Sequence, residues 1–506
     1  MPARACANYR DYRTELETID EILQHSGLDD LIIEQALARR REEAKNDATY
    51  HKSDPAFALR VRSEFRISIL RTLKKGTSVR DLEINLADSP MEQWFCFLES
   101  FDRIKAPSKS AIDRAKNAIT PEVLEQAAGM LLQKAASTPD CYDPLIEKAL
   151  NCIGLEVPPN LLEVWYDGTC HSPNIHFPVD WVQLGDCCRT LLKAVATIRH
   201  HGVINRMPKG GTKQLLHDLN QLSIALGNAR RRKDSKRIRK KVLRELKTFA
   251  RRMARHARVH RDLLEKHRST RTDLSEAQAA LIQDRIGRVL ALLPQAIKQA
   301  HERIIGERRV PNDQKILSIY EPAVKVIKRG KSGAEVEYGN QLLIGENRDG
   351  LITHWELFED VRVDSGRLLD ALKKTEDTVG APLQRVVGDK GFSDEKIHAT
   401  LARERPGLTD HICPRSPAKL NEKKKNDPEF GESQTRRSQT EGRIAILTNN
   451  YQKGRSLSKG LESQRQELRW VMLGHNLRKL AQMLIAERNA RNARKGRAEE
   501  PRKKAA

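Results

Sequence analysis

The sequence has no window of ~18 uncharged apolar residues, so no membrane-spanning helix is expected. It has no apolar stretch behind the basic residues of its first positions, so no secretory leader is expected either. Its eight cysteines, Cys6, Cys96, Cys141, Cys152, Cys170, Cys187, Cys188 and Cys413, form no Cys-x-x-Cys pair. That argues against a structural zinc site and for free thiols in a reducing cytoplasm. Aromatic residues are sparse at 5%, and no internal repeat is visible. Acids are also in deficit: 68 Asp and Glu face 91 Lys and Arg, a net charge of +23. A soluble chain this basic is suited to a polyanion, of which nucleic acid is the commonest. A ribosome-associated or membrane-surface protein would share that balance.

What is present is unevenly placed. Residues 230–261 hold sixteen Lys or Arg and two acids, and residues 488–504 hold eight and two. The rest of the chain is close to neutral. In the first stretch Ile238, Val242, Leu243, Leu246, Phe249, Ala250 and Met253 recur at helical spacing. The stretch therefore predicts an amphipathic helix with a densely basic outer face. Charge of one sign at this density repels itself unless something neutralises it, which points to phosphate contact. Arg230, Arg231, Arg232, Lys233, Arg237, Lys240, Lys241, Arg244, Arg251 and Arg252 are the candidate DNA contacts.

A chain of 506 residues predicts roughly two to four domains. Residues 1–56 are read as an N-terminal arm or helical pair. Residues 57–155 read as short helices: Phe57 to Lys74 ended by Gly76, then Ser78 as cap with Asp81 three residues on, then Met91 to Phe101 and Ser110 to Ala118. Two short helices joined by a tight turn fit a helix-turn-helix, and an ordinary helical domain fits equally well. Residues 181–310 are helical and contain the basic stretch. Between 315 and 358, runs at Ile316–Tyr320, Val324–Ile327, Glu335–Tyr338, Gln341–Gly345 and Leu351–Phe358 predict strands, with turns at Lys331-Ser332-Gly333 and Asn347-Arg348-Asp349-Gly350. Residues 416–436 are expected to be a mobile loop, and 491–506 a basic disordered tail.

Three acids share one form. Leu162, Val164 and Tyr166 alternate into Asp167, Leu383 to Val387 leads into Asp389, and a helix from about Ser438 to Leu447 carries Glu441. Carboxylates at strand ends are held by a fixed backbone while the side chain faces a cleft. Clustered carboxylates need a cation, and hard oxygen donors select Mg²⁺ or Mn²⁺. Taken singly, Asp-Gly is a common turn and Glu441 is one acid among 68.

The ordered motifs supply more. Ser78-Val79-Arg80-Asp81-Leu82-Glu83, Trp94-Phe95-Cys96, Pro107-Ser108-Lys109-Ser110, Tyr166-Asp167-Gly168-Thr169 with Asn174-Ile175-His176-Phe177-Pro178-Val179-Asp180, Val386-Val387-Gly388-Asp389-Lys390-Gly391-Phe392, Arg437-Ser438-Gln439-Thr440-Glu441-Gly442-Arg443-Ile444 and His475-Asn476-Leu477 follow one another. Together they resemble the bacterial insertion-sequence transposases of the Asp-Asp-Glu class. Two positions depart from that pattern. Where the family has Tyr before the Arg and Lys after the Glu, this chain has Gln434 and Thr448, with Tyr451 and Lys453 out of register.

The resemblance implies an α/β fold with an RNase H-like mixed-sheet catalytic core at 156–180 and 311–490. A helical DNA-binding domain would precede it and the large basic insertion at 181–310 would interrupt it. It implies Asp167, Asp389 and Glu441 as catalytic residues holding two Mg²⁺ or Mn²⁺ ions, with Arg437, His176 and Asp180 as accessory residues of the cleft. His354 and Trp355 read as core or cleft wall. The implied reaction is metal-dependent cleavage at transposon ends, freeing a 3′-OH that attacks target DNA. The implied partners are double-stranded DNA and a second copy of the chain, in a bacterial, nucleoid-associated cytoplasmic setting with no membrane. Two rivals remain open: an inactive or domesticated transposase-derived DNA-binding protein, and a basic helical RNA-binding protein whose acids are incidental.

Overall fold

A computed structural model describes residues 6–43, 54–74, 77–100, 103–143, 148–331 and 334–499. Gly76, the Ser332-Gly333 turn and residues 500–506 of the expected tail lie outside the described residues. The chain forms two compact units. One comprises Met1–Ser172, Gln341–Ser458 and Glu462–Ala506; the other comprises Pro173–Asn340 and Lys459–Leu461. The fold is mixed α/β with a mixed sheet.

The first unit opens with helices α1 (Ala7–His25) and α2 (Leu28–Glu43), so residues read as an arm are a helical pair. Leu16, Ile19, Ile22, Leu23, Leu28 and Ile32 are buried in a core shared with α3 (Asp54–Leu73), α4 (Val79–Asp88), α5 (Pro90–Phe95), the two-stranded ribbon β1 (Glu99–Ser100) and β2 (Arg103–Ile104), α6 (Lys109–Ala118) and α7 (Pro121–Ala136). Arg66 on α3 is fully buried and pairs with Asp20 at 2.6 Å and Asp29 at 2.5 Å, tying three helices together. Ser78 caps α4 as expected, accepting from the Asp81 amide at 3.1 Å. Trp470, Leu473, Leu477 and Leu480 from the end of the chain join this same core. The N-terminal helices therefore share a core with the last helix, in one compact unit.

After a second ribbon, β3 (Cys141–Asp143) with β4 (Lys148–Leu150), comes β5 (Glu163–His171). Asp167 does not end this strand. Cys170 and His171 are also buried, and the ladder runs four residues past the acid.

The second unit is a helical bundle: α8 (Asp180–His200), α9 (Gly211–Asn228), α10 (Ser235–Arg271) and α11 (Glu276–Ala300). The expected apolar stripe of α10 is its buried face, with Leu243, Leu246, Ala250 and Met253 packed against Leu191, Leu215, Ile286 and Leu293. The run Ile316–Tyr320 is not a strand: Leu317 and Ile319 are buried without joining a ladder. Strand β6 (Lys325–Lys331) pairs antiparallel with the first half of β7 (Ala334–Glu346). The runs Glu335–Tyr338 and Gln341–Gly345 are thus one strand.

From Gln341 the chain is back in the first unit. β7 pairs antiparallel with β8 (Ile352–Leu357), and α12 (Leu368–Val379), β9 (Arg385–Gly388), α13 (Glu395–Glu404) and β10 (Thr409–Ile412) follow. The sheet runs β10-β9-β5-β7, with β8 also on β7; β10, β9 and β5 are parallel. The expected loop at 416–436 is helical instead, forming α14 (Pro417–Asn426) and most of α15 (Pro428–Ile446). Asp427 caps α15 by accepting from the Phe430 amide at 3.1 Å, and Pro428 fills the first turn, so polar composition concealed a well-signalled helix start. The last helix, α16 (Leu461–Glu499), continues into the stretch expected to be disordered. Its Asn476 brackets Ile352 of β8, accepting from the amide at 2.8 Å and donating to the carbonyl at 2.9 Å.

Candidate active site

The geometry of the site begins with a ladder. β5 and β9 pair in parallel with Glu163 opposite Arg385, Val164 opposite Val386 and Trp165 opposite Val387. Continuing that register two residues brings Asp167 level with Asp389. Neighbouring strands lie about 4.8 Å apart, and side chains two residues apart share a face. Asp167 therefore projects on the Trp165 face, and Asp389 projects beside it.

Two contacts fix which face that is. Trp165 donates its indole N–H to the Ser433 carbonyl of α15 at 3.0 Å. Tyr166, on the opposite face, is buried against α12 and bonds Thr375 Oγ1 and the Ala371 carbonyl. Asp167 thus faces α15. This helix is anchored at the strand ends by Gln434, which donates to the carbonyls of Gly388 (3.3 Å) and His411 (2.6 Å). Gln434 stands where the family pattern has Tyr, and here it joins α15 to β9 and β10.

α15 carries Arg437 and Glu441 one turn apart, 3.4 Å between Arg437 Nη1 and Glu441 Oε1. Glu441 is exposed, and Arg437 is half-buried. Both act on Asp167. Burial raises the Asp167 carboxyl to about 6, and Asp389 and then Glu441 push the same way, while Arg437 opposes them. The three acids singled out in the sequence therefore share one electrostatic neighbourhood.

A fourth carboxylate, not anticipated in the sequence, stands beside Gly168 and Gly391. A Cβ built on Gly168 would lie 3.0 and 3.2 Å from the two oxygens of Asp364, and one on Gly391 would lie 2.9 Å from Asp389 Oδ1 and 3.1 Å from Asp364 Oδ2. Asp364 thus fills the space that the neighbours of both catalytic candidates leave by being glycine. Gln341 of β7 donates to Asp364 Oδ1 at 2.5 Å, and the Gly391 amide donates to Asp389 Oδ1 at 2.7 Å. Asp364 opens a short 3-10 turn rather than ending a strand, so the pattern used to select acids passed over it.

Among the described residues, no three His, Cys, Asp or Glu side chains stand close enough to enclose a metal ion. The donor chemistry nevertheless fits a hard divalent cation. Asp167 is raised by burial among like charges, and a cation beside it would relieve that repulsion.

Two of the accessory residues have bonding partners within the second unit. His176 and Asp180 belong to the second unit, where His176 Nε2 meets Asp186 at 2.9 Å. Asp180 is buried, with Gln299 at 2.8 Å and Arg303 at 3.0 Å. His354 is buried edge-on against Tyr166, and burial lowers it to about 3, so it is a neutral core residue.

On the basic stretch, Arg231, Arg232, Lys233, Arg237, Lys241, Arg244, Arg251 and Arg252 are exposed. Lys240 is half-buried at 2.8 Å from Glu307, and Arg230 lies outside the described side chains. Lys247 is held below its ordinary value by burial and by Arg251 and Arg244 beside it. No helix among the described residues is long and apolar enough to cross a membrane. The chain matches no protein-family model, no curated protein and no solved structure.

Proposed function

We propose that the chain is a DNA transposase of the Asp-Asp-Glu class. It would cut at the ends of a mobile element and join them to target DNA on an RNase H-like core. The observation that carries this reading is the parallel β5–β9 register, which leads to Asp167 on β5 and to Asp389 one residue past the end of β9, under a helix that brings Glu441 and Arg437 to the Asp167 carboxyl. The strand order β10-β9-β5-β7-β6, with β8 also paired to β7 and with parallel and antiparallel neighbours in one sheet, supports the same core.

In this reading Asp167 and Asp389 are the inner metal-holding oxygens and Glu441 the outer one. Two Mg²⁺ or Mn²⁺ ions held there would supply Lewis-acid activation of the attacking and leaving oxygens. Arg437 keeps Glu441 turned toward Asp167 and carries positive charge for a phosphate. The exposed face of α10 holds duplex DNA by phosphate contacts, with the helices at 57–118 as a further DNA contact. Joining two element ends requires two active sites, so the active form is a dimer assembled on DNA.

The test is duplex DNA from either side of the gene, incubated with the protein and Mg²⁺. The reading expects nicks with free 3′-OH ends at short inverted repeats bounded by a target duplication. Binding that favours RNA over such DNA, without metal-dependent breaks, would instead support a basic RNA-binding protein.

A further inference from the structure

The helix that carries Glu441 is held from beneath by a buried anion. Glu346, at the end of β7, has no exposed surface. Each of its oxygens takes a different arginine of α15: Oε1 accepts from Arg436 Nη1 at 2.7 Å, and Oε2 accepts from Arg443 Nε at 3.0 Å. The arginines are seven residues apart, two helical turns or about 10 Å along the axis, on one face. One carboxylate therefore fixes α15 at two points, and two points set both its rotation and its slide.

Each arginine is fitted to this task. Arg436 stacks 4.7 Å over the Trp165 ring, two residues before Asp167. It also donates to the carbonyls of Asn347 (2.8 Å) and Arg348 (3.1 Å) and to Thr440 Oγ1 at 3.2 Å. Arg443 packs onto Gly350, where φ is +89° and a Cβ would come within 2.1 Å of the guanidinium. Glycine is needed there twice, for the backbone angle and for the space. Arg437 lies roughly a third of a turn, and Glu441 roughly two-fifths of a turn, around the helix from the 436/443 face, at ~100° per residue.

We propose that Glu346 is a positioning residue: through Arg436 and Arg443 it sets where Glu441 and Arg437 stand relative to Asp167. This rests on the assignment of Asp167, Asp389 and Glu441 as the metal-holding acids. A buried carboxylate bonded to two guanidinium groups is a rigid support, since neither partner can leave without stranding a buried charge.

Mn²⁺ binding to the full-length protein, without DNA, read as free Mn²⁺ by electron paramagnetic resonance, tests it. The variants are Glu441→Gln, Glu346→Gln and the pair together. Loss of support around a ligand weakens metal binding by about tenfold or more. Each single variant is expected to show that loss, and the double variant is expected to bind no more weakly than Glu441→Gln alone, because Glu346 acts through Glu441. A general loss of structure would instead add to the effect of Glu441→Gln. Where Glu346→Gln fails to fold by circular dichroism, Arg443→Gln removes one of the two attachments and is read in the same cycle. Unchanged Mn²⁺ affinity in Glu346→Gln, or full additivity, overturns the positioning role. If Glu441→Gln itself leaves Mn²⁺ affinity unchanged, the metal assignment fails first and takes the positioning role with it.

Discussion

Asp167 and Asp389 are 222 residues apart in the chain, and the parallel β5–β9 register, carried two residues past Trp165 and Val387, brings Asp389, one residue beyond the end of β9, level with Asp167. That offset is the register itself: Glu163 faces Arg385 and Trp165 faces Val387. The whole helical second unit fits between the two acids without altering their pairing. A ladder needs only that both strands reach the sheet, and loop closure grows slowly with length.

The crowding of Asp167 predicts a pH-dependent stability. Its carboxyl is raised from 3.8 to about 6. The proton it keeps stabilises the fold below pH ~4, and that contribution is lost as pH rises through about 6. Asp167→Asn should therefore match the wild type near pH 4 and be more stable at pH 7.5, by at most about 3 kcal/mol. Thermal melts across this range measure it, and Mg²⁺ should narrow the gap. A difference that does not vary with pH would refute the crowding.

Asp364 should matter to strand cutting. Asp364→Asn removes its charge, and Gly168→Ala puts a methyl 3.0 Å from its carboxylate. A contact this tight makes the neighbour give by a few tenths of an ångström, and a misplacement of about 1 Å at a reacting centre costs about 100-fold in rate. Each variant is expected to cut DNA at least tenfold more slowly, with melting little changed. Wild-type rates in both would place Asp364 outside the chemistry.

Asn476 should be a stability residue rather than a DNA contact. It holds both backbone groups of Ile352 in a buried setting. Asn476→Leu leaves an amide and a carbonyl unpaired, at a cost of about 2–4 kcal/mol. Urea unfolding reads this directly. A loss below about 0.5 kcal/mol, the ordinary range for an inert surface change, would contradict it.

The α10 face should bind DNA by charge alone. Each phosphate contact contributes about 0.9 to the slope of log affinity against log salt. Replacing Arg244, Arg251 and Arg252 together by Gln should lower that slope by nearly 3, equally for any duplex sequence. A loss confined to one sequence would show base readout, and no change would remove α10 from the interface.

The sequence was most readable where one signal sufficed. The apolar stripe of α10, the Ser78 cap and the strands leading to Asp167 and Asp389 each follow from spacing or turn chemistry, and each is present. Failures came where tertiary contacts decide. The polar run at 416–436 is helical because Asp427 caps it and Trp165, Gln434 and Glu346 hold it to the sheet. Asp364 reaches the site only because Gly168 and Gly391, far apart in the chain, leave room for it. Between the arm and the helical pair that residues 1–56 allow, tertiary contacts decide: pairing Arg66 with Asp20 and Asp29 lets α1 and α2 bury against α3. His176 and Asp180 follow the first acid in the sequence, and their partners in the second unit, Asp186, Gln299 and Arg303, are ones that spacing alone does not reveal.

The most direct test of the central claim compares wild type with Asp389→Ala on the same duplex, measuring Mg²⁺-dependent strand cleavage and DNA binding side by side. The account predicts that cleavage disappears while binding stays within about threefold, because α10 and not Asp389 supplies the phosphate contacts. Cleavage that survives in Asp389→Ala would contradict the assignment of these carboxylates.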